Sequence, residues 1–192
     1  MKYLWLMGGL ILSLTASPQQ WARQFDFVDE ASCGLALVGK GNKRGFVDKD
    51  GRIMVPLVYD EAMHYSEGMA AVKKNGKWGF LDSTGKEAID FEYDEVLTFT
   101  DGLGLVIKNN HFGFINRAGK IIIPLDYANA SSFSEGLAPV CRKGLWGFIN
   151  TSGREIISMK YQYAVSFSDG SARVMKGGKW FLIDHNGNET PE

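Results

Sequence analysis

A 34-residue period runs without insertion through nearly the whole chain and constrains its fold more than any other feature. Gly34, Gly68, Gly102, Gly136 and Gly170 share one register. Gly51, Gly85, Gly119, Gly153 and Gly187 share a second, and Phe25, Tyr59, Tyr93, Tyr127 and Tyr161 form a third, aromatic one. Five units counted from Phe25 (25–58, 59–92, 93–126, 127–160 and 161–192) reach the last residue, so the repeats are expected to make up the body of the protein. Each unit reads as β-structure. In the third copy, Leu103 to Ile107, Phe112 to Asn116 and Lys120 to Ile123 are strand-like runs, separated by turns at Asn109-Asn110 and before Gly119. The first turn of the second copy is Asn75-Gly76, the dipeptide suited to a type I′ hairpin because both central residues need positive φ. The second turn opens on Asp48, Asp82, Asn116, Asn150 or Asp184, whose side chains can cap it locally, and closes on glycine. The unit is thus a three-stranded meander, with a shorter fourth strand plausible over Glu95 to Phe99.

Residues 1–24 are of another kind: Lys2 precedes an apolar run from Tyr3 to Leu14, followed by Thr15, Ala16 and Ser17. The pattern predicts an export signal, with Ala16 a suitable last residue before cleavage. If uncleaved, the segment is an N-terminal anchor and the only contact with a membrane, since the run is shorter than the ~20 residues of a spanning helix. The body, 25–192, is expected outside the cytoplasm, whether periplasmic, on the cell surface or secreted. The 21 basic and 22 acidic residues of the whole chain balance to a net charge of -1, which argues against nucleic acid as a partner. Cys33 and Cys141 lie about three units apart, too far for a disulfide in a linear array, and read as free, buried thiols. No cofactor motif or metal-ligand spacing is present in the sequence.

The most specific motif opens the middle strand: Trp78-Gly79-Phe80, Phe112-Gly113-Phe114 and Trp146-Gly147-Phe148. With Ser134-Glu135-Gly136-Leu137-Ala138 and the Asp82-to-Gly85 turn, it resembles the WG-repeat (KWG-repeat) family over residues 25–192. Arg44 replaces the tryptophan in the first unit, Phe181 the glycine in the last, and Asn188-Glu189-Thr190-Pro191 is polar where other units are apolar. Such irregular ends suit capping units. The resemblance implies a β-rich bacterial repeat protein with no defined biochemical role.

From the residues, the expected fold is all-β, five tandem meander repeats in an open curved array, with a closed five-bladed propeller-like ring as the alternative. A strand glycine permits close approach, so the indole of a neighbouring unit is expected to lie across it. Alternatively, Trp78, Trp146 and Trp180 could form an exposed ladder for sugar rings or peptide. Lys40, Lys74, Lys108, Arg142 and Lys176 form a basic row, and Glu67, Asp101, Glu135 and Asp169 an acidic one. They read as solvated strand ends with weak ion pairs, or else as a basic rim for an acidic partner. His64, His111 and His185 occupy three different repeat positions, outside any nucleophile or metal motif, and no catalytic residues are assigned. The expected function is a non-catalytic module that binds or scaffolds an envelope protein or polysaccharide. A hydrolase with one unrecognised site, or a purely structural surface protein, is the alternative.

Overall fold

The computed structural model describes residues Gln20–Thr190. After a short 3-10 helix, Gln20–Gln24, these residues form five four-stranded antiparallel sheets in sequence order, each a simple meander. The first sheet holds β1 (Phe27–Ser32), β2 (Leu35–Lys40), β3 (Lys43–Val47) and β4 (Ile53–Tyr59). The second holds β5 (Glu61–Ala62), β6 (Ala70–Lys74), β7 (Lys77–Leu81) and β8 (Glu87–Tyr93). The third holds β9 (Glu95–Thr100), β10 (Leu103–Lys108), β11 (His111–Ile115) and β12 (Ile121–Tyr127). The fourth holds β13 (Asn129–Ala130), β14 (Leu137–Arg142), β15 (Leu145–Asn150) and β16 (Glu155–Tyr161). The fifth holds β17 (Tyr163–Ala164), β18 (Ala172–Lys176), β19 (Lys179–Ile183) and β20 (Glu189–Thr190). The fourth strand per unit is therefore real. In three sheets the first strand is only two residues long, too short to leave an alternating pattern in the sequence.

Sheets stack face to face, so each uses both surfaces of its pleat. In β7, Phe80 faces the third sheet and packs with Phe99, while Leu81 faces the first sheet and packs with Tyr65 and Val55. Four hydrophobic cores result, one per joint between successive sheets. An aromatic pair marks each joint: Phe46 with Tyr65, Phe80 with Phe99, Phe114 with Phe133 and Phe148 with Phe167, their centroids 4.8–5.0 Å apart. All the main contacts between sheets join successive sheets, so the array is open.

The side-chain caps expected at the second turn are present in all five units. Oδ1 of Asp48, Asp82, Asn116, Asn150 and Asp184 accepts the backbone N–H groups two and four residues on, at 2.8–3.1 Å. The first turn has a different cap, from the residue after the register aromatic. Asp26, Asp60 and Asp94 accept the N–H of Gly41, Asn75 and Asn109.

The glycine after the large aromatic has a different cause from the one expected. A Cβ on Gly45, Gly79, Gly113 or Gly147 would lie 2.5–2.7 Å from a backbone carbonyl oxygen of the fourth strand of the same sheet. There the pairing slips: Trp78 pairs with Tyr93, yet Phe80 pairs with Ile89, so β8 carries two extra residues that bulge over Gly79. The neighbour across the glycine is thus its own sheet's backbone, not an indole from the next unit. In the fifth sheet β20 pairs only with Leu182 and Ile183. Nothing described crosses residue 181, and Phe181 fits where the other units need glycine.

The two ends differ. In the middle of the array, the aliphatic residue at the third position of each fourth strand lies over the second-turn glycine of the next sheet: Val55 over Gly85, Ile89 over Gly119, Ile123 over Gly153 and Ile157 over Gly187. The corresponding glycine of the first sheet, Gly51, is covered by the ring of Trp21. Trp21 stands one period before Val55, so the 3-10 helix takes the place that a preceding unit's fourth strand would hold. With Phe25, it seals Ala36, Val38 and Val47 into a fifth small core. Among the described residues, the fifth sheet has no such cover on its outer face.

Candidate functional site

The acidic row does not lie free at strand ends. Glu67, Asp101, Glu135 and Asp169 sit at the tip of the hairpin joining the first two strands, with φ of 50–54°. Glu67 accepts the N–H of Gly102 at 3.0 Å, Asp101 that of Gly136 at 2.9 Å, and Glu135 that of Gly170 at 3.2 Å. Each carboxylate therefore latches its own unit to the turn glycine of the next. Beside it, the hydroxyls of Ser32, Ser66 and Ser134 donate to the carbonyls of Tyr65, Phe99 and Phe167 in the following unit, at 2.6–2.7 Å. A second side chain reinforces two of the latches: Arg117 is 3.1 Å from Glu67, and His185 Nε2 is 2.9 Å from Glu135. His185 also stacks on Phe167 with centroids 4.4 Å apart, so it is a joint residue rather than an incidental one. Cys33 holds the latch position in the first unit. Because it forms a hairpin tip at φ 54°, its thiol is exposed and not buried as expected, whereas Cys141 on β14 is buried and both thiols are free.

Two members of the basic row also span joints. Lys108 on β10 is 2.6 Å from Glu92 on β8, and one guanidinium nitrogen of Arg142 on β14 reaches both oxygens of Asp126 on β12 at 2.9 and 2.8 Å. The Lys108 ammonium holds Glu92 below the usual carboxylate range, and the bond to Asp126 raises Arg142. Lys74 pairs within its own sheet, 3.3 Å from Glu87, and lies over the Phe91 ring. Among the described residues, Lys40 and Lys176, at the two ends, have no ion-pair partner. With Asn75, Lys77 and Phe91, Lys74 lines a shallow depression of about 260 Å³.

The three tryptophans do not share one exposed face. Trp78 is 2% exposed and Trp146 8%, both covered by the next sheet, while Trp180 is 41% exposed. Trp146 and Trp180 are linked through Tyr163, whose centroid is 5.5 Å from one and 5.8 Å from the other. Among the described residues the indole N–H of Trp78 is buried without a hydrogen-bond partner.

Asp29, Ser32 and His64 meet in one open depression of about 450 Å³, a grouping that sequence spacing hides. His64 Nε2 is 3.4 Å from Asp29. The Ser32 hydroxyl, however, is committed to the Tyr65 carbonyl in the same joint bond that Ser66 and Ser134 make, so its proton is not directed at His64. Carboxylates with shifted pKa, namely Asp48, Asp60, Asp82, Glu92, Asp94 and Asp184, are all lowered by hydrogen bonds or neighbouring lysines. That is the environment of fixed structural anions, not of a proton donor near neutrality. Burial pushes the hydroxyls of Tyr65 and Tyr93 up to about 12. Among the described residues no group of His, Cys, Asp and Glu could hold a metal ion, and no helix is long and apolar enough to cross a membrane.

The surface feature that repeats is the fourth strand. β4, β8, β12 and β16 are each seven residues long, lie at a sheet edge, and bury their third and seventh residues while exposing the first, fourth and sixth. Pro56 and Pro124 fall within two of them, where only an edge strand tolerates proline. Ile53, Met54, Ile121 and Ile156 are 40–55% exposed along these edges.

Comparison with known proteins agrees with this geometry. The family described as WG containing repeat matches residues 45–78, 78–110, 112–146 and 146–180, well over half the chain. No curated protein matches the sequence. Among solved structures, Hsv2 of Kluyveromyces lactis is similar with a TM-score of 0.53 at 9% identity, covering 84% of this chain and 60% of that one. A eukaryotic initiation factor is similar with a TM-score of 0.55, also at 9% identity, covering 85% of this chain and 53% of that one. The chain thus spans between about half and three-fifths of those structures, and at such identity the likeness is one of fold alone.

Proposed function

We propose that this chain, which belongs to the family of WG-containing repeat proteins, is a non-catalytic module that binds or scaffolds an extended partner in the cell envelope or outside the cell. The observation that carries this is the fourth strand, repeated four times with the same pattern of exposure at successive sheet edges. An enzyme needs one preorganised constellation. A surface that recurs with the period of the array instead suits a partner engaged by several weak, equivalent contacts, whose avidity grows with their number. An envelope protein or polysaccharide has the necessary length and repetition. Exposed aliphatic residues at Ile53, Met54, Ile121 and Ile156, beside the carboxylates of β8, offer both apolar and hydrogen-bonding contact.

Export rests on the leader pattern of Lys2 and the apolar run Tyr3 to Leu14. Removal up to Ala16 keeps Trp21, the residue that seals the first sheet, whereas removal up to Gln24 strips it. The test is to express the chain in a bacterial host, follow its mass and compartment, and measure binding of the purified body to envelope fractions alongside four-unit and three-unit truncations. Affinity that falls stepwise supports a binding array. Retention in the cytoplasm at unchanged mass refutes export, and affinity independent of unit number refutes multipoint binding. The hydrolase alternative centres on Asp29, Ser32 and His64. An ester- or peptide-cleaving activity abolished by His64→Ala would establish it in place of the binding reading.

A further inference from the structure

We propose that the outer face of the fifth sheet is a self-association surface on which a second copy of this chain docks its own fifth sheet. In β18 and β19 the pairs Arg173–Leu182 and Met175–Trp180 fall on one face, and Ala172, Val174 and Ile183 fall on the other, buried against the fourth sheet. The outer face is the one that every earlier sheet covers with its successor. At the position of Leu182 those sheets carry Phe46, Phe80, Phe114 and Phe148, all 0–1% exposed. Among the described residues nothing covers this face of the fifth sheet. Trp180 stands 41% exposed, with Tyr163, 47% exposed, packed edge-on beside it. A large aromatic with an adjoining cation is the composition that recurs at the energetic centre of protein interfaces, and the Arg173 guanidinium lies 5.2 Å over the Trp180 ring.

The opposite end of the array decides the occupant. A head-to-tail neighbour would have to seat its first sheet on this face, but the outward side of that sheet is sealed by Trp21 and Phe25, and Val38 and Val47 there are already 0% exposed. Endless stacking is therefore blocked, and the partner surface left on a second copy is the fifth sheet itself. That contact is isologous and closes at the dimer. Charge fits it as well. Asp169 belongs to the row whose members elsewhere accept an N–H from the next unit, and here, among the described residues, its carboxylate is reached only by its own neighbour Ser168 at 3.2 Å. Two-fold pairing sets the cation Arg173 of each copy toward the unmatched Asp169 of the other.

The test is analytical ultracentrifugation of the full chain over a range of concentrations, with circular dichroism to confirm folding. The expected result is a concentration-dependent dimer that Trp180→Glu weakens about tenfold or more. Arg173→Asp and Asp169→Arg should each weaken it, and their combination should restore it, an outcome that a merely structural role for either residue does not produce. A monomer at every concentration overturns the proposal. So does a dimer indifferent to Trp180→Glu, or a double variant no stronger than the single ones. A dimer held by the leader segment would survive all four variants and would count against it equally.

Discussion

Replacing Gly147 by alanine isolates the feature that gives the middle strand its sequence. Gly147 has no positive φ, so its backbone would accept any residue, and only space forbids a side chain. The new Cβ would lie 2.5 Å from the Ile157 carbonyl oxygen, 2.8 Å from Met159 N and 2.9 Å from Met159 Cα, where ordinary contact begins near 3.4 Å. All three obstacles are backbone, so no rotamer change relieves them. β16 is also pinned on both sides of the bulge, by Trp146 with Tyr161 and by Phe148 with Ile157. The cost should sit at the upper end of overpacking effects, about 3 kcal/mol, or roughly 6–12 °C in melting temperature for a chain of this size. Gly144→Ala is the control: it has φ of +79° but nothing within 4 Å of its Cβ. It should lose only the cost of a left-handed alanine, about 1 kcal/mol, and His111→Ala on the exposed hairpin should change little. Thermal denaturation followed by circular dichroism compares the three. A Gly147→Ala protein that melts no lower than Gly144→Ala would refute the close-approach argument.

Trp21→Ala should open the first core, and faster hydrogen exchange in β2 and β3 with unchanged exchange in β18 and β19 would show that the cap acts locally. Asp82→Asn should leave stability at neutral pH nearly unchanged, because Asn116 and Asn150 already make the same turn bonds through an amide oxygen. It should also reduce acid sensitivity. The Asp82 pKa is lowered by its bonds to Thr84 and to the Lys86 N–H, so its contribution is complete above the unfolded-state value of about 3.9 and is lost as pH falls through the lower folded-state value. An acid denaturation midpoint that does not move would count against that role. Deleting residues 93–126 removes one period and keeps the register. The product should be a soluble four-sheet protein with a somewhat lower melting temperature, and aggregation instead would mean that the joints are not interchangeable.

Local features were legible and contacts between units were not. The Asn-Gly hairpin and the Asp or Asn caps depend on residues within four positions of one another, so the sequence contains all their terms. Glu67 and Asp101 looked like solvated charges because their partners, Gly102 and Gly136, lie 35 residues ahead and meet them only once the stacking direction is known. Lys108 and Arg142 pair with Glu92 and Asp126 of the preceding unit for the same reason. The glycine of the middle strand was correctly read as a close-packing residue, but its neighbour is a bulge in the same sheet, which an alternation pattern does not encode. Trp21 escaped notice since it falls in a helical turn adjoining the leader, although its number places it one period before Val55. The grouping of Asp29, Ser32 and His64 has no spacing signal at all.

The latch has a consequence for how chains of this kind change in length. Three of the four joints are made of the same groups in the same order, a hairpin carboxylate on one side and a turn glycine N–H on the other, with Cys33 in the carboxylate's place at the first. A duplicated period therefore arrives with both halves of its joints already matched, and a lost one leaves its neighbours able to meet. Copy number can drift in whole units at little structural penalty. The end units are under the opposite constraint: Trp21 and Phe181 each fit one position, and a duplication that copied either into the interior would place a ring where a neighbouring sheet or strand must pass.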